Sequence, residues 1–325
     1  MSFHFPLHLL LPVSAALLVA SLALASQDDL DSLMSLPPAV SRSIGGPLDG
    51  SLERSVAFPA SGPGFVRPLS RRPEARFGTL EVVRGVVRAA GRVEARIPGG
   101  TLVVHDLSLE TGGPIARHES HRAGRDVDVL FYLLDAEGRP MPSVGAILGP
   151  DGWGVDFRDP ADPSDDVEVL LDVARTFTFL EELALDAEAG LQRVFIAEHL
   201  RTLLFRHASE HGANEEALAR LTEMTCQPST PHDDHIHLRF FCSPNDIAAG
   251  CEDAAPIYPY RRAELGALDV TPKINRPRPN RPRSKTRSAA EARAKAGPLH
   301  ADVVSWLEKR EAWLKPPKTG RRFCP

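Results

Sequence analysis

Two hydrophobic rhythms run along this chain. Over residues 78–96, Leu80, Val83, Val86, Val87 and Ala90 recur at three- and four-residue spacing, which places them on one side of a helix. Residues 102–105 read as a short strand, and residues 126–134 alternate polar with apolar before turning wholly apolar, as a strand does on entering a core. Val167, Leu170, Leu171, Ala174, Phe177 and Leu180 predict one long helix over 167–184. Next come a strand at 191–197, a helix at 198–211 stopped by Gly212, and a helix capped by Asn214 that runs to about 225. A last strand covers 235–241. Strands and helices do not alternate regularly, so the pattern predicts an α+β fold: a small antiparallel sheet flanked by helices.

Outside this stretch the rhythm fades. Residues 26–76 are rich in Pro, Gly, Ser and Arg, and read as an arm laid over a domain or a loose linker. The compact domain then spans 77–262. Residues 7–25 carry no charge and end in Ala23-Leu24-Ala25, the small-residue spacing of a cleavable signal peptide over 1–25, and so predict export. The alternative is an uncleaved anchor, since about 19 apolar residues just span a bilayer. Beyond 262 lies a tail in which Arg276-Pro277-Arg278-Pro279-Asn280-Arg281-Pro282-Arg283 favours extended, mobile chain, followed by short helices at 289–296 and 302–314.

Composition sharpens this picture. With 42% hydrophobic and 25% charged residues the chain suits a globular protein rather than a fibrous one. Residues 271–325 hold 15 Lys or Arg and 4 Asp or Glu, a net +11 against a whole-chain charge of −5, which leaves −16 for the rest. The tail therefore reads either as a solvated extension or as electrostatic contact with anionic wall polymer or membrane surface; export argues against nucleic acid. All four cysteines follow residue 225. They allow three pairings and suit an oxidising compartment. Cys242 and Cys251 flank a short loop that closes at little entropic cost, which favours that bridge and leaves Cys226 with Cys324.

Five of the twelve histidines fall in two segments, His118-Glu119-Ser120-His121 and His232-Asp233-Asp234-His235-Ile236-His237. Residues two apart on a strand share a face, so Asp126 and Asp128 point together, as do His235 and His237. The bend at Gly124 lets His121 fold back towards the carboxylates. Side by side, the two strands offer His121, Asp128 and His237 as two neutral nitrogens and a carboxylate oxygen. That set suits zinc and leaves a fourth position for water, whose pKa such a metal lowers towards about 7. His235 would lie beside the metal, to accept a proton or stabilise an oxyanion. Asp126, Asp233 and Asp234 are candidates to orient a histidine through its far nitrogen. Singly, each residue has a bland reading as a solvated or hydrogen-bonded polar group; the joint spacing favours metal. His199, His207 and His211 sit on the 198–211 helix, where packing accounts for them. His105 and Asp106 read as the end of a strand.

Ser120-x-His121-x-x-Gly124-x-x-x-Asp128 with His235-x-His237 resembles the zinc signature of lysostaphin-type, D-Ala-D-Ala and murein endopeptidases. Together, His118-x-Ser120-His121, Asp126-Val127-Asp128 and Pro231-His232-Asp233-Asp234-His235-x-His237-x-Arg239 narrow the resemblance to the penicillin-insensitive murein endopeptidases, as do Ser43-Ile44-Gly45, Gly50-Ser51-Leu52 and the segment from Gly62 to Phe65. The resemblance covers residues 43–260. It implies zinc on His121, Asp128 and His237, with His118 at or near the metal. It also implies His235 as catalytic histidine with His232 in support, and a D-alanyl-diaminopimelate bond of peptidoglycan as substrate; the signal segment 1–25 predicts a periplasmic location. Rival readings are a non-catalytic wall-binding protein on the same fold and a carboxypeptidase trimming terminal D-Ala.

Overall fold

The computed structural model describes residues 29–68, 72–276, 278–284, 288–314 and 324; the expected signal segment 1–25 lies outside them. The architecture is α+β. Its central feature is a four-stranded sheet in the order Thr225–Cys226, Leu191–Phe195, Ile236–Phe240, Asp126–Val129. The Ile236–Phe240 strand lies antiparallel to both of its neighbours. Thr225–Cys226 instead runs parallel to Leu191–Phe195, so the sheet is mixed at one edge rather than wholly antiparallel. The cause is the crossover between them: Glu198–His211 and Glu215–Met224 carry the chain back to re-enter in the same direction. Gly212 ends the first of these helices in the left-handed conformation, and the Asn214 side chain caps the second by accepting from the backbone N–H groups of Glu216 and Ala217.

The apolar run expected over 126–134 divides into Asp126–Val129 and Leu133–Leu134, which belong to different sheets. Leu133–Leu134 pairs with Pro140–Met141 and Val167–Leu171, and the latter pairs with Trp153–Asp156. This corrects the single helix expected over 167–184, because only Val173–Leu185 is helical. Val169 and Leu171 are buried while Glu168 and Leu170 are exposed, a two-residue period that also happens to satisfy part of a three-four spacing. Asp172 makes the break. Its carboxylate accepts from the Arg175 backbone N–H at 3.0 Å and pairs with the Arg175 guanidinium, so it caps a helix that cannot extend further back.

The arm is part of the core. Leu30, Leu33, Phe58 and Phe65 are buried in the same apolar cluster as the Leu80–Arg96 helix, with Phe58 and Phe65 edge to face at 5.3 Å. Short strands tie it down: Arg42–Ile44 pairs with Ser51–Glu53, Val56–Ala57 with Phe77–Gly78, and Phe65–Val66 with Leu102–Val103. Arg125, 1% exposed, fastens arm to sheet by donating to Ser43 Oγ, the carbonyls of Phe240 and Glu252, and Asp253. Both expected disulfides are present, Cys242–Cys251 and Cys226–Cys324. Tail helices form at Ala289–Ala296 and Ala301–Trp313. The tail rests on the domain instead of standing off it: Arg122 donates to the carbonyl of Pro282 and to Ser284, and Arg278 pairs with Asp49. Among the described residues no helix is long and apolar enough to cross a membrane.

Replacing Asp172 with Ala removes a cap and leaves the largely buried Arg175 without its carboxylate, so it is expected to cost about 2 kcal/mol or more in chemical denaturation. Asp172→Asn, which keeps the capping oxygen, should cost clearly less. Equal stability of the two variants would place the helix start elsewhere.

Candidate metal centre

Alternation along two neighbouring strands builds the site. Asp126-Val127-Asp128-Val129 runs against Ile236-His237-Leu238-Arg239, with His237 opposite Asp128 and Arg239 opposite Asp126. Val127, Val129, Ile236 and Leu238 face the core and are at most 1% exposed, so all four polar side chains emerge on the other face. His121 reaches them from the preceding loop with a backbone φ of +65°, a left-handed conformation uncommon outside glycine. The surroundings hold it there. Ser108 Oγ donates to the His121 carbonyl at 2.6 Å and accepts from Gly124 N–H at 3.0 Å, and the His121 N–H points at Asp126 Oδ2 at 3.3 Å.

Hydrogen bonds on the far side of each ring assign the tautomers. His121 Nδ1 lies 2.7 Å from the carbonyl of Leu107, which can only accept, so Nδ1 carries a proton and, in the neutral ring, Nε2 is left to bind. His237 Nε2 lies 2.8 Å from Asp126 Oδ1, so Nε2 carries a proton and, in the neutral ring, Nδ1 is left to bind. These two inner nitrogens face each other at 3.3 Å. Asp128 Oδ1 completes the triangle, 3.3 Å from His121 Nε2 and 3.2 Å from His237 Nδ1, and is buried without a hydrogen-bond donor. For zinc bound by nitrogen or oxygen at about 2.0–2.1 Å, the edges of a tetrahedron are about 3.3–3.4 Å. The donors therefore fit such an ion in both chemistry and spacing.

His118 stands at the rim. Its Nε2 lies 2.9 Å from Asp106 Oδ2 and its Nδ1 lies 3.6 Å from Asp128 Oδ2, and one ligand atom from each of His118, His121 and Asp128 falls within 4.8 Å of the others. His118 is thus placed to join the metal or to touch what binds there, although the triangle with His237 is tighter. His235 directs Nε2 towards Asp128 Oδ1 at 3.8 Å and is held from behind by Asp234 Oδ1, 2.6 Å from Nδ1. His232 packs between, its ring 4.8 Å from His235 and 5.8 Å from His237. These side chains, with His118, Phe195 and Arg239, line a cleft of about 360 Å³.

Charge divides the two loop histidines. Burial pushes His232 down to about 3, helped by the neighbouring His235 and His237, so it stays neutral. Burial acts the same way on His235, but the carboxylates of Asp128 and Asp234 outweigh it and raise His235 to about 9. Burial would also raise Asp126 and Asp128. In Asp126 the Arg239 guanidinium and the His237 hydrogen bond reverse that, and in Asp128 His121 and His235 do, so both carboxyls sit well below the usual range. A dication held by Asp128 would offset the charge that raises His235 and draw it back towards neutral pH.

The expected residues His118, His121, Asp128, His232, His235 and His237 all meet here, with Asp126 and Asp234 as orienting carboxylates. Asp233 does not orient a histidine; it turns away to Arg310. Asp106 and the Leu107 carbonyl are site components that sequence reasoning misses. A backbone oxygen carries no residue signature, and Asp106 lies on a separate loop from His118, where it also pairs with Arg72 at 2.9 Å. His199, His207 and His211 stay on their helix, with His199 Nε2 3.0 Å from the Leu148 carbonyl and the other two rings stacked at 4.2 Å.

A family model described as penicillin-insensitive murein endopeptidase matches residues 43–289, most of the chain. No curated protein matches it.

Titrating metal-free protein with zinc should show stoichiometric binding that is lost in His121→Ala, Asp128→Ala and His237→Ala and kept in His235→Ala. Asp126→Asn should bind, but roughly 10–100-fold more weakly, because it only orients a ligand. Full affinity in any of the first three variants would refute the triangle.

Proposed function

Because the chain belongs to the penicillin-insensitive murein endopeptidases, metallopeptidases that act on peptidoglycan, we propose that it is a zinc enzyme hydrolysing the D-alanyl-diaminopimelate cross-link, with no serine or cysteine nucleophile. The observation that carries this reading is the triangle of His121 Nε2, Asp128 Oδ1 and His237 Nδ1, three potential ligand atoms 3.2–3.3 Å from one another. Zinc held there would supply Lewis-acid chemistry, polarising a peptide carbonyl and lowering the pKa of water towards about 7.

The remaining steps fall to the protein's own side chains. His235 aims Nε2 at the same oxygen of Asp128, and Asp234 fixes its ring, so Nε2 can hold a proton for the departing amine or stabilise negative charge on the scissile oxygen. His232, neutral and buried beside it, supports that ring without competing for the proton. Arg239, whose guanidinium lies 5.2 Å over the Phe195 ring and pairs with Asp126, places positive charge along the cleft, where a carboxylate-bearing peptide would lie. Two disulfides and the apolar segment 7–25 support a periplasmic site of action. Contact of the basic tail with anionic wall or membrane surface would rest on the arginines that the domain does not already pair.

Incubation with purified cross-linked muropeptide dimers should yield monomers by mass spectrometry, with cleavage lost on chelation, restored by zinc and indifferent to β-lactams. His235→Ala should keep its zinc while turnover falls on the order of 10²–10⁴-fold. Release of terminal D-Ala without loss of cross-links would make the protein a carboxypeptidase, and zinc binding with no cleavage would make it a wall-binding protein.

A further inference from the structure

The loop that carries His232, Asp234 and His235 has one residue that points the other way. Asp233 is fully buried and faces the C-terminal tail. Arg310 grips it with two prongs, Nε to Oδ2 at 2.9 Å and Nη2 to Oδ1 at 2.6 Å, and Trp313 Nε1 adds a contact at 3.4 Å. The Asp233 carbonyl accepts from the N–H of Leu148 at 2.8 Å. Such paired charge–charge hydrogen bonds are directional and hold a backbone in one orientation.

Arg310 is itself seated. Its helix, Ala301–Trp313, lies against the domain through the Trp306 ring, edge-on to Trp153 at 4.9 Å, with Trp306 Nε1 donating to the Ile147 carbonyl at 3.2 Å. At the helix start the His300 N–H donates to the Pro160 carbonyl at 2.9 Å, and beyond its end Cys324 is bonded to Cys226 next to the Leu191–Phe195 strand. The helix lies outside residues 43–289, the part that the family model matches, while Asp233 lies within it.

We propose that the C-terminal helix is a strap that positions the catalytic loop, with Arg310 as its positioning residue acting through Asp233. This rests on the reading of His235 as the proton-handling group. Neither Arg310 nor Asp233 touches the metal triangle or the cleft. Their effect passes along the chain: were Asp233 to lose its partner, a bare carboxylate would be left in the interior and would turn out to water. Residues 232–235 are consecutive, so that turn would rotate Asp234 and His235 away from Asp128.

The test uses the full chain loaded with zinc, comparing Arg310→Gln and Arg310→Lys with the parent. Arg310→Gln should keep its bound zinc and its KM on muropeptide dimers while kcat falls on the order of 10–100-fold, as expected for a displaced catalytic group. Amide hydrogen exchange at residues 232–235 should quicken at the same time. Arg310→Lys keeps a cation beside Asp233 without the two-pronged contact and should fall between. If Arg310→Gln fails to fold, Arg310→Lys decides by the same readouts. Parent-like kcat and parent-like exchange in the folded variants would overturn the strap. If the parent cleaves no muropeptide, the proposed reaction fails, yet the exchange at 232–235 still judges whether Arg310 holds the loop.

Discussion

Two imidazole nitrogens and a carboxylate oxygen held about 3.3 Å apart inside the protein need something positive between them, and their spacing and chemistry suit a metal cation. Much of the surrounding structure serves that convergence. The Leu107 carbonyl and the Asp126 carboxylate accept hydrogen bonds from the outer N–H groups of His121 and His237, which in the neutral rings leaves the inner nitrogens free to bind. Asp126 can do this while fully buried because Arg239 and the His121 N–H satisfy its remaining oxygen sites. The left-handed backbone at His121 is the strained element in this arrangement, and Ser108 holds it in place from both sides.

Around this centre the termini act as bracing. The N-terminal arm is stitched to the sheet by the buried guanidinium of Arg125 and by short strand pairs, and the C-terminal helix reaches back to Asp233. Positive charge that looks surplus in the sequence of the tail is partly used on the acidic domain, at Asp49, Glu119 and Asp233. The chain encloses its own site from two directions, leaving the cleft at His118, His232 and His235 as the open side.

What the sequence disclosed followed from local periodicity. Two-residue spacing at Asp126 and Asp128 was enough to place both carboxylates on one face, because strand geometry fixes that relation without tertiary information, whereas His235 falls just before the Ile236–Phe240 strand and its position is set by the loop. The same reasoning failed at 167–171, where Val167 and Leu171 satisfy helical and strand spacing alike and pairing with Trp153–Asp156 and Leu133–Leu134 decides between them. It also could not find the partners of His118 and Asp233. Asp106 and Arg310 meet them through loop and tail packing, across 12 and 77 residues of chain, and no local pattern encodes such contacts.

The central claim is that one ion sits in the His121, Asp128 and His237 triangle, and the most direct measurement is anomalous diffraction from zinc-loaded crystals at the zinc edge. The account predicts a single strong peak about 2.0–2.2 Å from His121 Nε2, Asp128 Oδ1 and His237 Nδ1. A peak coordinated without His237, between His118 and Asp106 for instance, would contradict it.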